Sequence, residues 1–174
     1  MKNFNFTQSY AELEDDYEHG NLHIYGQFLS SLDGCPDHVT GYFSCRSNAL
    51  TSLVGGPERV DCSYACYDNK LTDLVGCASH IGGKLNCEKN NITSLVGIHD
   101  IIKSCKSFSF DSRKIKQGGI GLLLIDDLTE ITSHFTKLSK PFEIIKSYLG
   151  TGSNGMNACS KELINAGYTN HAIL

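Results

Sequence analysis

The chain has no long apolar run: none of its windows approaches the roughly 18 apolar residues that a bilayer-spanning helix requires, and Met1-Lys2-Asn3-Phe4-Asn5-Phe6 lacks an apolar stretch of signal-peptide length. A membrane protein is therefore not expected, and a cytoplasmic location is. Nor is there a basic cluster. The 15 Lys and Arg are scattered among 19 Asp and Glu, with a net charge of −4 and a pI near 5.9, so the electrostatic footprint of a nucleic-acid binder is missing. Compact C-x-x-C pairs, the usual mark of a structural zinc site, are also absent. Cys62-x-x-x-Cys66 finds no partner pair at suitable spacing, and Cys35 and Cys77 stand two repeat periods apart with Gly56 between them. No metal and no cofactor is expected.

Catalytic groupings are equally hard to assemble. The seven histidines include His38 and His80 at expected corners, His23 in an expected strand, and His134 and His171 further on. None falls into a Ser/His/Asp or Cys/His spacing. Gly118-Gly119-Ile120-Gly121 has the glycine content of a phosphate loop but lacks the Lys and helix that give such loops their chemistry, and reads as a turn. An enzyme is not expected.

What the chain does have is a period. Cys45, Cys66 and Cys87 recur at intervals of 21, and so do Asn48, Asn69 and Asn90. Leu50, Leu71 and Ile92 keep the interval, as do Leu53, Leu74 and Leu95; Gly55, Gly76 and Gly97; and Val39, Val60 and Ile81. Each unit approximates V-x-G-x-F-x-C-x-x-N-x-L-T-x-L-x-G-x-P. A partial unit occupies the same columns at Gly20, Leu22, Ile24, Gln27, Leu29 and Leu32. After Gly97 the alternation persists in Cys105-Lys106-Ser107-Phe108-Ser109-Phe110 but drops out of register. Leu123-Leu124-Ile125 with Leu128-Thr129-Glu130-Ile131 reads as F-x-C and L-T-x-L of a shortened closing coil.

The period has a physical reading. In F-x-C the inward residues alternate with period two, as a strand requires. One such coil cannot bury its own apolar edge, but stacked coils share a core and a parallel sheet. The cysteines, at an inward position of every strand, serve as small apolar packing groups. The asparagines can bond backbone groups left unpaired at each corner and tolerate turn conformations. Glycine, followed two residues later by Pro36 or Pro57, returns the chain.

A 21-residue unit of this kind, with L-T-S-L-x-G-x-P joined to F-x-C-x-x-N, resembles the leucine-rich-repeat proteins of tailed bacteriophages across about residues 20 to 131. Such proteins also end in a pair of short helices, matching Pro141–Leu149 and Ala158–Gly167 here. The resemblance implies an α/β repeat fold, a short leucine-rich-repeat solenoid with a parallel sheet and helical caps, and implies no catalytic residues.

Three segments follow. Residues 1–19 form an N-terminal cap, in which Ser9-Tyr10-Ala11-Glu12 fits a capping box and Phe4 and Phe6 cover the first coil. Residues 20–131 are the solenoid, of about four to five coils plus the shortened one. Residues 132–174 are a helical cap, with Phe142, Ile145 and Leu149 on one face and a break at Gly150–Gly155; a separate partner-binding helix pair is the alternative.

The outward strand residues align as Asn21, Tyr42, Ser63 and Lys84; as His23, Ser44, Ala65 and Asn86; and as Tyr25, Arg46, Tyr67 and Glu88. Tyr and Arg are enriched where binding energy concentrates. The candidate partner-binding residues are therefore Tyr25, Arg46, Tyr67, Glu88, His23, Tyr42 and Lys84. The expected function is binding of a host protein by a phage-encoded inhibitor or modulator of host defence. The alternative is a small-molecule binder that sequesters a nucleotide signal on Arg46, Lys84 and the tyrosines. An exposed edge strand or an uncovered end is the feature through which copies of the chain would associate.

Overall fold

The computed structural model describes residues 20–133 and 136–174. The expected N-terminal cap, with Phe4, Phe6 and the capping box, lies outside the described residues, as does His134.

The backbone winds in stacked coils, each contributing two or three residues to parallel ladders. The main sheet has the order β1 (Leu22–His23), β3 (Phe43–Ser44), β5 (Tyr64–Ala65), β7 (Lys84–Asn86), β8 (Ser107–Ser109) and β9 (Glu130–Thr132). Leu22, Phe43, Tyr64, Leu85, Phe108 and Ile131 face one another rung by rung, and all six are buried. Cys45, Cys66 and Cys87 follow two residues behind them, also buried, with their N–H groups donating to Ala65, Asn86 and Ser109 carbonyls at 2.9–3.0 Å. The 21-residue period is thus the length of one turn of backbone.

A second sheet, not foreseen from the sequence, runs along another side. It consists of β2 (His38–Val39), β4 (Arg59–Val60) and β6 (His80–Ile81), all parallel, and single bridges extend it from His80 to Ser104 and on to Asp126. Val39, Val60 and Ile81 point inward and His38, Arg59 and His80 point out. The histidines expected at corners are therefore strand residues. On a third side the Leu53 N–H donates to Val75 O (3.3 Å) and the Leu95 N–H to Gln117 O (3.0 Å).

The asparagine column does what corner bonding requires. The Asn69 side-chain oxygen accepts the Leu50 N–H (3.1 Å), and its amide donates to Cys45 O and Cys66 O (3.0 and 3.1 Å). Asn90 repeats this with Leu71, Cys66 and Cys87, and Asn48 with Leu29, Ile24 and Cys45. Each amide staples its own coil to the one before. The left-handed backbone residue is not the asparagine but its predecessor: Ser47, Asp68 and Lys89 have φ of 55°, 61° and 53°. The turn strain thus falls beside the amide that locks it. At Gly76 (φ 85°) a Cβ would collide with the Leu53 and Val54 backbone of the preceding coil, so glycine is required there by close stacking.

The stretch through Phe108 and Phe110 departs from the 21-residue register, as its spacing indicated, yet stays in the array: Leu85 pairs with Phe108, 23 residues on, and Phe110 takes up the cysteine column, buried. The added length is accommodated by a single helical turn, α1 (Ile98–Ile101). The closing coil is lengthened, not shortened, because Phe108 pairs with Ile131, again 23 residues on. Leu123 and Leu124 belong to a 3-10 turn (Gly119–Leu124), and the final strand is Glu130–Thr132, where L-T-x-L had been expected.

The C-terminal helices close this end. In α2 (Lys140–Ser147) Phe142 and Ile145 are buried, and in α3 (Ser153–Asn165) Cys159 and Leu163 are. The helix α3 begins at Ser153, inside the expected break, and Gly155 lies within it. The Phe142 ring meets Phe110 edge to face at 4.8 Å and the His171 ring at 5.2 Å, so the cap seats an aromatic directly on the last member of the cysteine column. Ser139, ahead of α2, fixes the entry: its N–H donates to Ser112 Oγ (3.0 Å) and its hydroxyl to Ser112 O (3.2 Å). A final 3-10 turn (Thr169–Ala172) bonds back through the Gly118 N–H to Asn170 O (3.0 Å).

Candidate functional site

Outward residues of the main sheet are held at one per coil, so their side chains stand about 4.8 Å apart. In the first column Tyr42 is exposed, and Asn21, Ser63 and Lys84 are half-buried. Two of these polar side chains also tie adjacent coils: Asn21 Oδ1 accepts the Tyr42 N–H (2.7 Å) and Ser63 Oγ the Lys84 N–H (3.0 Å). In the second column His23, Ala65 and Asn86 are half-buried, while Ser44, at 7 %, is buried.

The third column supplies the most organised group. The Arg46 guanidinium lies 4.2 Å from the Tyr25 ring centroid and 5.6 Å from that of Tyr67, and the His23 ring meets Tyr25 edge on at 6.2 Å. A guanidinium at these distances from an aromatic face is attracted by the ring quadrupole. The stack is thus set before any partner arrives, and its outer member, Tyr25, remains 45 % exposed.

Glu88 departs from the expected face. Rather than ending the exposed column it is buried, at 1 %. The loop after β8 bonds the two residues that follow Glu88: the Lys89 N–H donates to Asp111 Oδ2 (2.8 Å) and the Lys114 ammonium reaches Asn90 O (2.7 Å). Of the seven expected binding residues, the structure therefore brings His23, Tyr25, Arg46 and Tyr67 into one group, sets Tyr42 and Lys84 in the column beside it, and removes Glu88 from the surface.

Large exposed apolar and aromatic groups on the first two coils extend this end of the sheet: Tyr25, Tyr42 at 52 % and Phe28 at 88 %. Phe28 was not singled out in the sequence. It also has a left-handed backbone, φ 58°, at a position where later coils carry Ala49, Lys70 and Asn91 in ordinary conformation, and that departure from the column is the signal that would have found it.

The second sheet carries a polar group that the sequence reading missed. His38 Nε2 and Asp61 Oδ2 are 2.9 Å apart, and Arg59 Nε donates to Asp61 Oδ1 at 2.7 Å. The bonds to His38 and Arg59 hold the Asp61 carboxyl below its usual range. The 21-residue interval from His38 to Arg59 to His80 was the available clue.

The cysteines are all free thiols. Burial pushes Cys45, Cys66, Cys77 and Cys87 well up and raises Cys35 and Cys105 to about 12. These groups remain protonated near neutrality and are poor nucleophiles. Among the described residues no three of His, Cys, Asp or Glu are arranged to hold a metal ion, and no helix is long and apolar enough to cross a membrane.

No family model, curated protein or solved structure matches this chain.

Proposed function

We propose that this chain is a non-catalytic binding protein that recognises a protein partner through the exposed face of its main sheet, centred on Tyr25, Arg46 and Tyr67 and flanked by His23, Tyr42 and Lys84. The observation that carries the reading is the Arg46 guanidinium seated against Tyr25 at 4.2 Å, with Tyr67 on its other side at 5.6 Å. Tyrosine and arginine combine large apolar area with hydrogen-bonding ends. Because stacked coils and cation–π contacts already fix these side chains, binding forfeits little side-chain entropy. The likeness of the repeat to those of phage proteins leads us to place the partner among host defence proteins, with the chain acting as an inhibitor in the bacterial cytoplasm.

The test is affinity capture from bacterial lysate with the tagged chain and two variants. The expected result is one protein retained in stoichiometric amount by the wild type and by Val54→Ser on the third side, and reduced about tenfold or more by Tyr25→Ala/Tyr67→Ala, since loss of a central hot-spot residue costs upward of 2 kcal/mol. Equal retention by the double variant would remove this face from consideration.

A further inference from the structure

On the second sheet the outward side chains are interrupted. The column that begins with Thr40 and Asp61 reaches Gly82, where any Cβ would collide with the Asp61 carbonyl oxygen; no side chain can occupy that place, and a notch opens over it. Its volume is about 190 Å³, and it is lined by Arg59, Val60, His80, Ile81, Gly82, Ser104, Lys106 and Asp127. A water's share of liquid volume is about 30 Å³, so a small ion with part of its hydration shell fits.

The chemistry around the notch is directional. Val60 and Ile81 are buried apolar residues of its floor. Arg59 gives its Nε edge to Asp61, which fixes the guanidinium plane and leaves the two terminal nitrogens for another acceptor. His80 shares its Nδ1 with Ser79 Oγ at 2.9 Å, leaving Nε2. Ser104 carries a hydroxyl, and the exposed Lys106 takes part in none of the ion pairs within 4.0 Å found among the described residues. Its backbone is anchored through its N–H to Gly83 O (2.9 Å). Arg59, His80, Ser104 and Lys106 thus bring four donor-bearing side chains to the lining of one cavity, in which Asp127 is the single acid.

We propose that this notch binds the phosphate group of a small molecule. A tetrahedral oxyanion offers oxygens to the arginine fork, the imidazole and the ammonium together, whereas a planar carboxylate engages mainly the fork. Asp127 accepts a hydrogen bond from a P–OH or from a hydroxyl on an ester arm. The site lies on a different sheet from Tyr25, Arg46 and Tyr67, and its occupancy is independent of theirs.

The experiment is a titration of the ¹⁵N-labelled full chain with inorganic phosphate at constant ionic strength, with chloride as the matched control and phosphoserine as a monoester arm. Expected are saturable amide shifts at Gly82, Gly83 and Ser104, which chloride does not reproduce. Lys106→Gln and Arg59→Gln should each weaken binding about tenfold, as expected for one lost charge-assisted contact, while Tyr25→Ala/Tyr67→Ala leaves it unchanged. Tighter binding of phosphoserine than of phosphate assigns the notch to an ester; equal or weaker binding assigns it to the free ion. Non-saturating shifts, shifts equal to those with chloride, or unaltered binding by a folded Lys106→Gln chain would overturn the proposal.

Discussion

At the scale of single residues, the asparagine column is the feature that makes the coils one object. Asn69 is 9 % exposed and bonds three backbone groups drawn from two coils. Truncating it leaves the Leu50 N–H without its acceptor where water has little access, and takes one of two side-chain donors from each of the Cys45 and Cys66 carbonyls, which keep Asn48 and Asn90. A buried polar group left unsatisfied costs about 1–3 kcal/mol, so Asn69→Ala is expected to destabilise the fold by about 1–3 kcal/mol. Urea denaturation followed by circular dichroism measures this, and a loss under about 0.5 kcal/mol would show that the staple is dispensable. Asn69→Asp is the informative companion: it keeps the acceptor for Leu50 but loses both donors, so it should not restore stability. The Asn and Cys columns were legible in the sequence because each holds one residue type at a fixed interval, and the chemistry of each type suits its place. Glu88 was not: it shares a column with the exposed Tyr25 and the half-buried Arg46 and Tyr67 yet is itself buried, and no local pattern reports that difference.

At the scale of elements, strands of two or three residues cannot persist alone; what holds them is the ladder on either side and the cover at the end. The register was readable only while the interval stayed constant. Arg59 pairs with His80 at 21 residues, whereas His80 bridges to Ser104 at 24, and the helical turn Ile98–Ile101 absorbs the difference, so an alignment by fixed spacing loses the Phe108 strand that the geometry keeps. The second sheet escaped notice for a related reason, since His38–Val39 and its equivalents are too short to show alternation. The C-terminal helices were visible as apolar faces, and their docking introduces a titrating group. His171 is buried at 7 %, sits edge on to Phe142, and is held below its ordinary pKa by burial. A depressed histidine pKa means the unfolded chain binds the proton more readily, so its contribution is complete above the unfolded value of about 6.5 and is lost as pH falls from there toward the folded value. Stability of the wild type is expected to drop between pH 7.5 and 5.5 relative to His171→Leu, with a differential slope no steeper than about 1.4 kcal/mol per pH unit. Parallel curves for the two chains, from urea titrations across that range, would show that the imidazole does not sense the folded state.

At the scale of the whole molecule, stability in a stack of coils accumulates from contacts between neighbours, and the end of the stack is where that sum is least favourable. The last coil presents Phe110, Ile120 and Ile131, all essentially inaccessible in the folded chain, and they are inaccessible in large part because Phe142, Ile145, Cys159 and Leu163 lie against that end. Burial of a single large apolar side chain contributes roughly 1.5–3 kcal/mol, so a chain that stops after Ser133 gives up several such terms at once. It also leaves β9 with neither a following strand nor a cover, the arrangement that invites another chain to pair. The truncated chain is therefore expected to self-associate, read as a rise in mass by size-exclusion chromatography with light scattering, and to unfold at lower urea than the full chain. Because the Tyr25 and Arg46 end is several coils away, and each coil touches only its neighbours, whatever fraction stays folded should retain the cation–π group and its partner. A truncated chain that is monomeric and unfolds at the same urea concentration as the parent would mean that the helices are not a cap but an appended element, and the three-part division of the molecule would have to be redrawn around a solenoid that closes itself.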